Sequence, residues 1–383
     1  MTLRLVRLAL TEFRNYPSLA WRPPARLVVV HGPNGSGKTN LLEAISLLVP
    51  GRGLRGARIG ELARHGGSGR WAVAGRFDTP TGPVEIGTGT PPEGPAERRV
   101  FRLDGAAPRS QAELALRIGA VWLTPQMDRL FAEGAAGRRR FLDRLVFAVE
   151  PSHAREVAAY ETATAQRNRL LAAGEADPAW LAGLEDAMAR HGVAATAARA
   201  ALVARLNEAA PPGRFPRARL GLLCTLAERL AAAPALAVET WLREALAAGR
   251  AGDAAAGAAR LGAHRADLAL ADAATGLPAA AASTGQQKAL LIGVILAHAA
   301  LLGRASGVTP LLLLDEPMVH LDAERRAALT EALGQLSAQA FLTGTDAAAF
   351  APLARAAAAF VAGGGRLERD PTFSGDCAPA DLS

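Results

Sequence analysis

The sequence predicts an α/β fold with a strand-rich N-terminal lobe and a helical insertion, and three observations predict it. Near the N-terminus an apolar run, RLVVVH, leads into the glycine-rich GPNGSGKT and then into the helix-forming TNLLEAISLLV. Far along the chain a second apolar run, LLLL at 311–314, ends in Asp315 and Glu316. Between them lies a long stretch rich in alanine, arginine, leucine and glutamate, with apolar residues recurring at three and four and few breakers.

Taken in order, LRLVRLAL and the run at 26–31 read as strands on either side of the polar turn FRNYPS. Residues 71–77 and 98–105 read as two more strands, and the Pro/Gly-rich stretch between them as an exposed hairpin loop. Gly32, Pro33, Asn34, Gly35, Ser36, Gly37, Lys38 and Thr39 complete the pattern G-x-x-x-x-G-K-[ST], with a strand before it and a helix after it. Its glycines let successive backbone amides curl around phosphate oxygens, and the helix that starts there adds the positive end of its dipole. Such a loop binds ATP or a close relative. Lys38 is expected to reach the outer phosphates, Thr39 to hold Mg2+, and Asn40 to join the nucleotide contacts.

The run at 311–314 suits a parallel strand covered on both faces. At its end Asp315 is placed to hold the magnesium hydration shell, and Glu316 to polarise the attacking water as a general base. Lys38 and Asp315 are then expected to meet across adjacent strands, so that most of the chain between them is insertion or second lobe. Residues 137–209 predict an antiparallel helical pair interrupted near 174–178, with no sustained heptad seam. RFPRARLGLLC returns to strand character and EALAAGRAGDAAAGAARLG to helix.

Two smaller features remain open in function. In STGQQ, Ser283 supplies an N-cap hydroxyl, Gly285 permits close approach, and the amides through Gln286 offer a second anion-binding helix end. One loop already cradles the phosphates, so this helix start makes most sense facing a nucleotide on another subunit; an ordinary capped helix has the same pattern. Gln126, in VWLTPQMDRLF, follows an apolar strand and could ligand magnesium or the attacking water, or simply face solvent. Arg14 and Asn15 in the early turn are open in the same way.

Half of the 383 residues are hydrophobic, enough to bury a substantial core. The net charge of +7 favours an anionic partner without identifying one. Lys38 and Lys288 are the only lysines in an arginine-rich chain, which makes Lys38 more informative. Cys224 and Cys377 lie far apart with no Cys or His at ligand spacing, so neither a disulfide framework nor a zinc site is indicated. The N-terminal segment lacks a signal-peptide apolar stretch, and LLIGVILAHAALLG near residue 300 is short for a bilayer. A soluble cytoplasmic protein with no membrane partner is the expectation.

The motifs in sequence, FRNY, GPNGSGKT, PQMDRLF followed by GRRRFLD, AHRADL, STGQQ and LLLLDEPMVHLD, resemble those of the RecF family over most of the chain. The resemblance implies an ABC/SMC-type P-loop ATPase head with a short inserted helical arm. The corresponding division is head at 1–125, arm at 126–261, head again at 262–368, and a mobile tail at 369–383. It also implies slow Mg-dependent ATP hydrolysis, an ATP-dependent homodimer, and association with DNA, particularly gapped or junction DNA. RecR and RecO are the implied partners in helping RecA load at single-stranded gaps during repair, replication restart and the SOS response. By matched position, Ser283, Gly285 and Gln286 become the signature that contacts ATP in the opposite subunit. Gln126 becomes the Q-loop residue, Asp322 the D-loop aspartate at the interface, and Arg14 and Asn15 residues near the nucleotide.

The chain departs from the pattern at several points. Thr284 stands where such signatures commonly have glycine, Lys288 where arginine is more usual, and Val319 and His320 where a small polar residue and an acid are more usual. FLTGT is followed by Asp346 in place of a switch histidine, so no catalytic histidine is assigned, and Thr345 or Asp346 is left to the γ-phosphate region. The soluble ATPase subunit of a transporter needs only a short helical region after Gln126, and an SMC-like structural ATPase needs a far longer arm; the insertion here fits neither.

Overall fold

A computed structural model describes residues 2–174 and 177–373. The chain divides into two compact units, one formed by the residues up to Asp128, Pro211–Arg217 and the residues from Ser283 onward, the other by Arg129–Ala210 and Ala218–Ala282. In chain order the first unit begins with β1 (Arg4–Phe13), β2 (Tyr16–Trp21), β3 (Leu27–His31), α1 (Lys38–Leu47), β4 (Ala72–Thr79), β5 (Gly82–Gly89), β6 (Val100–Leu103), α2 (Gln111–Ala115) and β7 (Ala120–Leu123). The second unit carries α3 (Ala135–Val149), α4 (His153–Ala173), α5 (Pro178–Glu208), β8 (Ala218–Leu223), α6 (Thr225–Ala232), α7 (Ala235–Ala248), α8 (Arg250–Ala256) and β9 (Asp267–Asp272). The first unit is completed by α9 (Thr284–Ser306), β10 (Leu311–Leu314), α10 (Ala323–Gln335), β11 (Ala340–Gly344), β12 (Ala357–Gly363) and β13 (Arg366–Arg369).

Two sheets organise the first unit. The antiparallel one runs β2-β1-β4-β5-β6, and the other runs β13-β12-β3-β11-β10-β7. In the second sheet β12, β3, β11, β10 and β7 are parallel and β13 closes one edge antiparallel. A single hydrophobic cluster gathers Leu5, Leu8 and Phe13 of β1, Val28 and Val30 of β3, Leu41 and Ile45 of α1, and Leu311 and Leu313 of β10. All four leucines of β10 are buried, as the unbroken apolar run requires of a strand covered on both faces.

Three expectations are corrected here. The stretch between residues 78 and 97 is not only a loop: β5 pairs with β4 from Thr79↔Gly82 to Ala72↔Gly89 and with β6 on its other side. Its alternating Val84 and Ile86 are buried, but the prolines and glycines around them mask the period in the sequence. The strands bearing the phosphate loop and Asp315 are not adjacent, because β11 lies between β3 and β10. Strand order is set by how the crossovers pack, which a linear sequence does not encode. Finally, α9 has 23 residues and contains an 18-residue window with a mean hydropathy of 1.8, long and apolar enough to cross a membrane; what makes it a core helix is burial of 67% of that window.

In the second unit α4 and α5 pair antiparallel, with Glu156 bonded to His191 at 2.7 Å and Arg167 to Glu185 at 3.0 Å. Gly174, in the left-handed region, ends α4; Asp177 restarts the chain as N-cap of α5, its carboxylate accepting from the Ala179 amide, with Pro178 in the first turn. A two-stranded ladder joins β8 to β9. That pairing carries AHRADL into the second unit, which runs to Ala282 instead of ending at 261, while Pro211–Arg217 falls in the first. At the C-terminus Arg369 belongs to β13, and the Asp370 carboxylate lies 2.8 Å from His31 Nε2 and holds Thr372. Phe373 is buried as well, and the expected mobile tail from residue 374 on, Cys377 included, lies outside the described residues.

Candidate nucleotide site

The loop between β3 and α1 is braced from outside by the β1–β2 turn. Gly37 caps α1 with φ at 107°, and a Cβ there would run into the Asn15 side chain, so only glycine fits. Asn15 donates to the Ser36 carbonyl at 3.1 Å and accepts from Asn40 at 2.8 Å, while the buried Tyr16 hydroxyl donates to the Gly37 carbonyl at 3.1 Å. Burial holds the Tyr16 phenol well above its ordinary pKa, so it stays a donor. Arg14, at a left-handed φ of 54°, grips Glu43 of α1 with two bonds of 2.7 and 2.8 Å and reaches the Glu61 carbonyl at 2.6 Å. Each of its guanidinium nitrogens is thus spent inside the protein. Arg14 and Asn15 are placed beside the loop as expected of them, but as its supports; Tyr16 and Glu43, which carry that bracing, were not singled out by the sequence.

Within the loop, Pro33, Asn34 and Gly35 are exposed, and Gly32 is packed so closely that a Cβ would meet the Ala362 carbonyl. Lys38 is 4% exposed and donates to the carbonyls of Gly32 and Pro33, both at 2.8 Å. Burial lowers its pKa, and the carboxylates of Glu316 and Asp315 pull it back up. The buried Ser36 hydroxyl has no hydrogen-bond partner among the described residues, which a phosphate oxygen would supply.

Although β11 separates their strands, Thr39 Oγ1 lies 3.0 Å from Asp315 Oδ1. The same carboxylate oxygen accepts from Thr343 Oγ1 at 2.6 Å. Asp315 is 2% exposed, and burial pushes its carboxyl above the usual range against the pull of Thr343, Thr39, Arg55 and Lys38. A hydroxyl and a carboxylate converging at one buried point are the hard oxygen donors that magnesium takes alongside phosphate and water oxygens. Among the described residues no group of three or more His, Cys, Asp or Glu could hold a metal by protein atoms alone, so an ion at Thr39 and Asp315 needs those further oxygens. Glu316 sits at a left-handed φ of 51°, its amide donating to Thr343 Oγ1 at 3.1 Å. With Thr343, Thr345, Asp346, His320 and Arg326 it lines a cavity of about 410 Å³. Thr343 lies inside the FLTGT strand end, so its signal was in the sequence; only its pairing with Asp315 required the fold.

Gln126 is exposed in the short 3-10 turn Pro125–Arg129 after β7. That strand neighbours β10, and the Asp315 amide donates to Leu123, which sets the turn beside the acidic pair. At the start of α9, Ser283 Oγ accepts from the Gln286 amide at 3.3 Å and Gln286 Oε1 from the Ser283 amide at 2.9 Å, a reciprocal capping box. A Cβ on Gly285 would lie 2.5 Å from the His320 carbonyl, so this glycine lets the helix start meet the segment before α10. Asp322 caps α10, accepting from the Arg325 amide at 2.8 Å and its guanidinium at 2.7 Å. The structure therefore brings Lys38, Thr39, Asp315 and Glu316 together within one chain. No hydrogen bond among the described residues joins Ser283, Gly285, Gln286 or Asp322 to the phosphate loop.

No family model matches the chain. It is 51% identical over 352 residues to the DNA replication and repair protein RecF of Mesorhizobium japonicum, covering 91% of this chain and 93% of that one. It is 47% identical to the protein of the same name from Brucella suis, covering 94% and 95% of the two. Among solved structures it is similar to the recombination mediator protein RecF-ATPrS in the RecFOR pathway, with a TM-score of 0.82 over 96% of this chain and 98% of that one at 22% identity. The Smc head domain of Pyrococcus furiosus follows at a TM-score of 0.52 and 15% identity, over 96% of each chain. These likenesses carry the ABC/SMC-type head fold with its strand-rich lobe and helical arm, and the sequence identities carry the family: the chain belongs to the RecF family.

Proposed function

We propose that this protein is an ATP-dependent, DNA-binding recombination mediator that dimerises on ATP and, with RecR and RecO, helps RecA load at single-stranded gaps during repair, replication restart and the SOS response in the cytoplasm. The observation that carries the reading is the 3.0 Å contact between Thr39 and Asp315, which brings two motifs 276 residues apart to one point and supports a shared phosphate and metal site there. In this reading the amides of residues 32–39 and Lys38 hold the phosphates, and Thr39, Asp315 and Gln126 complete the magnesium shell. Glu316 takes the proton of the attacking water, with Gln126 orienting it, and hydrolysis is slow. Magnesium, when bound, neutralises the developing phosphate charge. Ser283, Gly285 and Gln286 contact ATP across a homodimer interface to which Asp322 also contributes. The exposed helix start supports this, since the capping box takes up the amides of Ser283 and Gln286 and a helix N-terminus has further first-turn amides to offer an anion. The helical unit serves as the arm, and the net charge of +7 supports an anionic partner such as gapped or junction DNA.

The test is sedimentation with magnesium and ATP, paired with fluorescence anisotropy on gapped DNA at several salt concentrations. The parent is expected to dimerise on ATP, and its DNA affinity to fall steeply with salt. Lys38→Ala is expected to remain monomeric. A Lys38→Ala chain that dimerised normally, or DNA binding insensitive to salt, would overturn the reading.

A further inference from the structure

Every basic side chain other than histidine in this protein is arginine except at two positions, Lys38 and Lys288. The arginines that form inner ion pairs use their planar fork on carboxylates, as Arg14 does on Glu43, Arg138 on Asp267 and Arg199 on Asp143. The same arginines also reach main-chain carbonyls; the two lysines are set apart by where they stand, since each points its ammonium at main-chain carbonyls of a nucleotide motif. Lys38 holds the carbonyls of Gly32 and Pro33. Lys288, in the second turn of α9 and 1% exposed, holds the carbonyl of Glu316 at 2.8 Å and Asp128 Oδ2 at 3.1 Å.

The bond to Glu316 matters because of that residue's backbone. Glu316 is not glycine yet occupies the left-handed region at φ 51°, a conformation that persists only where its surroundings enforce it. It is enforced from both sides: Thr343 Oγ1 accepts from its amide at 3.1 Å and Lys288 donates to its carbonyl. Thr343 in turn donates to Asp315, and Asp315 accepts from Thr39. A hydrogen-bonded line thus runs from α9 through Glu316 to the magnesium ligands. Asp128 helps aim Lys288, but its Oδ1 is buried without a partner among the described residues, so this pair is not arranged as a fully satisfied structural ion pair.

We propose that Lys288 is a positioning residue for hydrolysis: it locks the left-handed Glu316 backbone, and so the aim of the Glu316 carboxylate, to the helix that begins with Ser283. The proposal rests on the ATPase reading above and assigns Lys288 no contact with nucleotide. It separates turnover from binding. Lys288→Met keeps length and burial but removes the donor; Lys288→Arg keeps a charged donor with a different shape.

The experiment measures steady-state ATP turnover, and separately the affinity for a fluorescent ATP analogue, for the parent and both variants. Lys288→Met is expected to lower kcat by about ten- to a hundredfold while KM and analogue affinity stay within about twofold. Lys288→Arg is expected to recover part of the lost turnover. A Lys288→Met protein that turns over at the parent rate overturns this inference alone. Loss of analogue binding in step with turnover makes Lys288 a general folding residue and also overturns it. A parent that binds the analogue but does not turn over ATP overturns the ATPase reading itself, and this inference with it.

Discussion

The two units differ in how they hold certain deeply buried cations. In the helical unit Arg167 is fully buried and its guanidinium is matched by Glu185 at 3.0 Å, Asp253 at 2.8 Å and the Leu246 carbonyl at 2.7 Å. Glu185 is further held by Arg250, and Asp253 by Arg260. Every charge in that cluster is answered by the unit's own atoms. In the nucleotide-site unit Lys38 rests on two carbonyls and Lys288 on one carbonyl and Asp128, the buried Ser36 hydroxyl and Asp128 Oδ1 have no partner among the described residues, and Glu316 is held in a left-handed backbone. A closed network specifies a shape; a network with an open donor and a strained residue beside it is arranged for something that arrives.

The sharpest way to break that comparison is Glu316→Gln, which keeps size and hydrogen bonding but removes the base. ATP turnover should fall by about 10²–10⁴-fold, while nucleotide affinity and the lifetime of an ATP-bound dimer, followed by light scattering, hold or increase. Parent-rate turnover would remove Glu316 from the chemistry and leave its strained backbone without a use.

Next in size is Arg167→Met, which leaves two buried carboxylates short of their shared partner. Denaturant unfolding should show a loss of about 3–5 kcal/mol. A loss below about 1 kcal/mol would mean that Arg250 and Arg260 carry the cluster alone, and that the closed network is less cooperative than its geometry suggests.

The smallest effect sharpens the contrast at a residue with two roles. Asp322 caps α10 within the chain, and the proposed function also gives it a part in a dimer interface. Asp322→Ala should cost about 1 kcal/mol in chemical denaturation through the lost cap. If its effect on ATP-dependent dimerisation, read by sedimentation, exceeds what that cost explains, the carboxylate serves both ends; equal effects confine it to the cap.

How legible each region was follows from the range of the interactions in it. The phosphate loop, the four leucines before Asp315 and the Ser283 capping box rest on residues within a few positions of each other, so their pattern survives in the linear chain. The strand at Gly82–Gly89 was hidden because Pro83 and the surrounding glycines break up an alternation that only pairing with β4 and β6 makes plain. AHRADL read as part of the returning head, but the bond between His264 and Tyr160 and the fork of Arg138 on Asp267 tie it to the helical unit. Neither partner is near it in sequence.

By itself the sequence determined that a glycine loop, a lysine and a threonine would stand at one helix start, and that two acids would end a buried strand. Those are consequences of local spacing and of which side chains can carry such chemistry. Only the tertiary structure decided that β11 lies between those two strands, that Thr343 bridges Asp315 and Glu316, that Arg14 is spent on Glu43, and that Lys288 holds the Glu316 carbonyl. Each of these joins residues distant along the chain, and a hydrogen bond between distant residues is fixed by how the elements pack in three dimensions, for which no short stretch of sequence carries a mark.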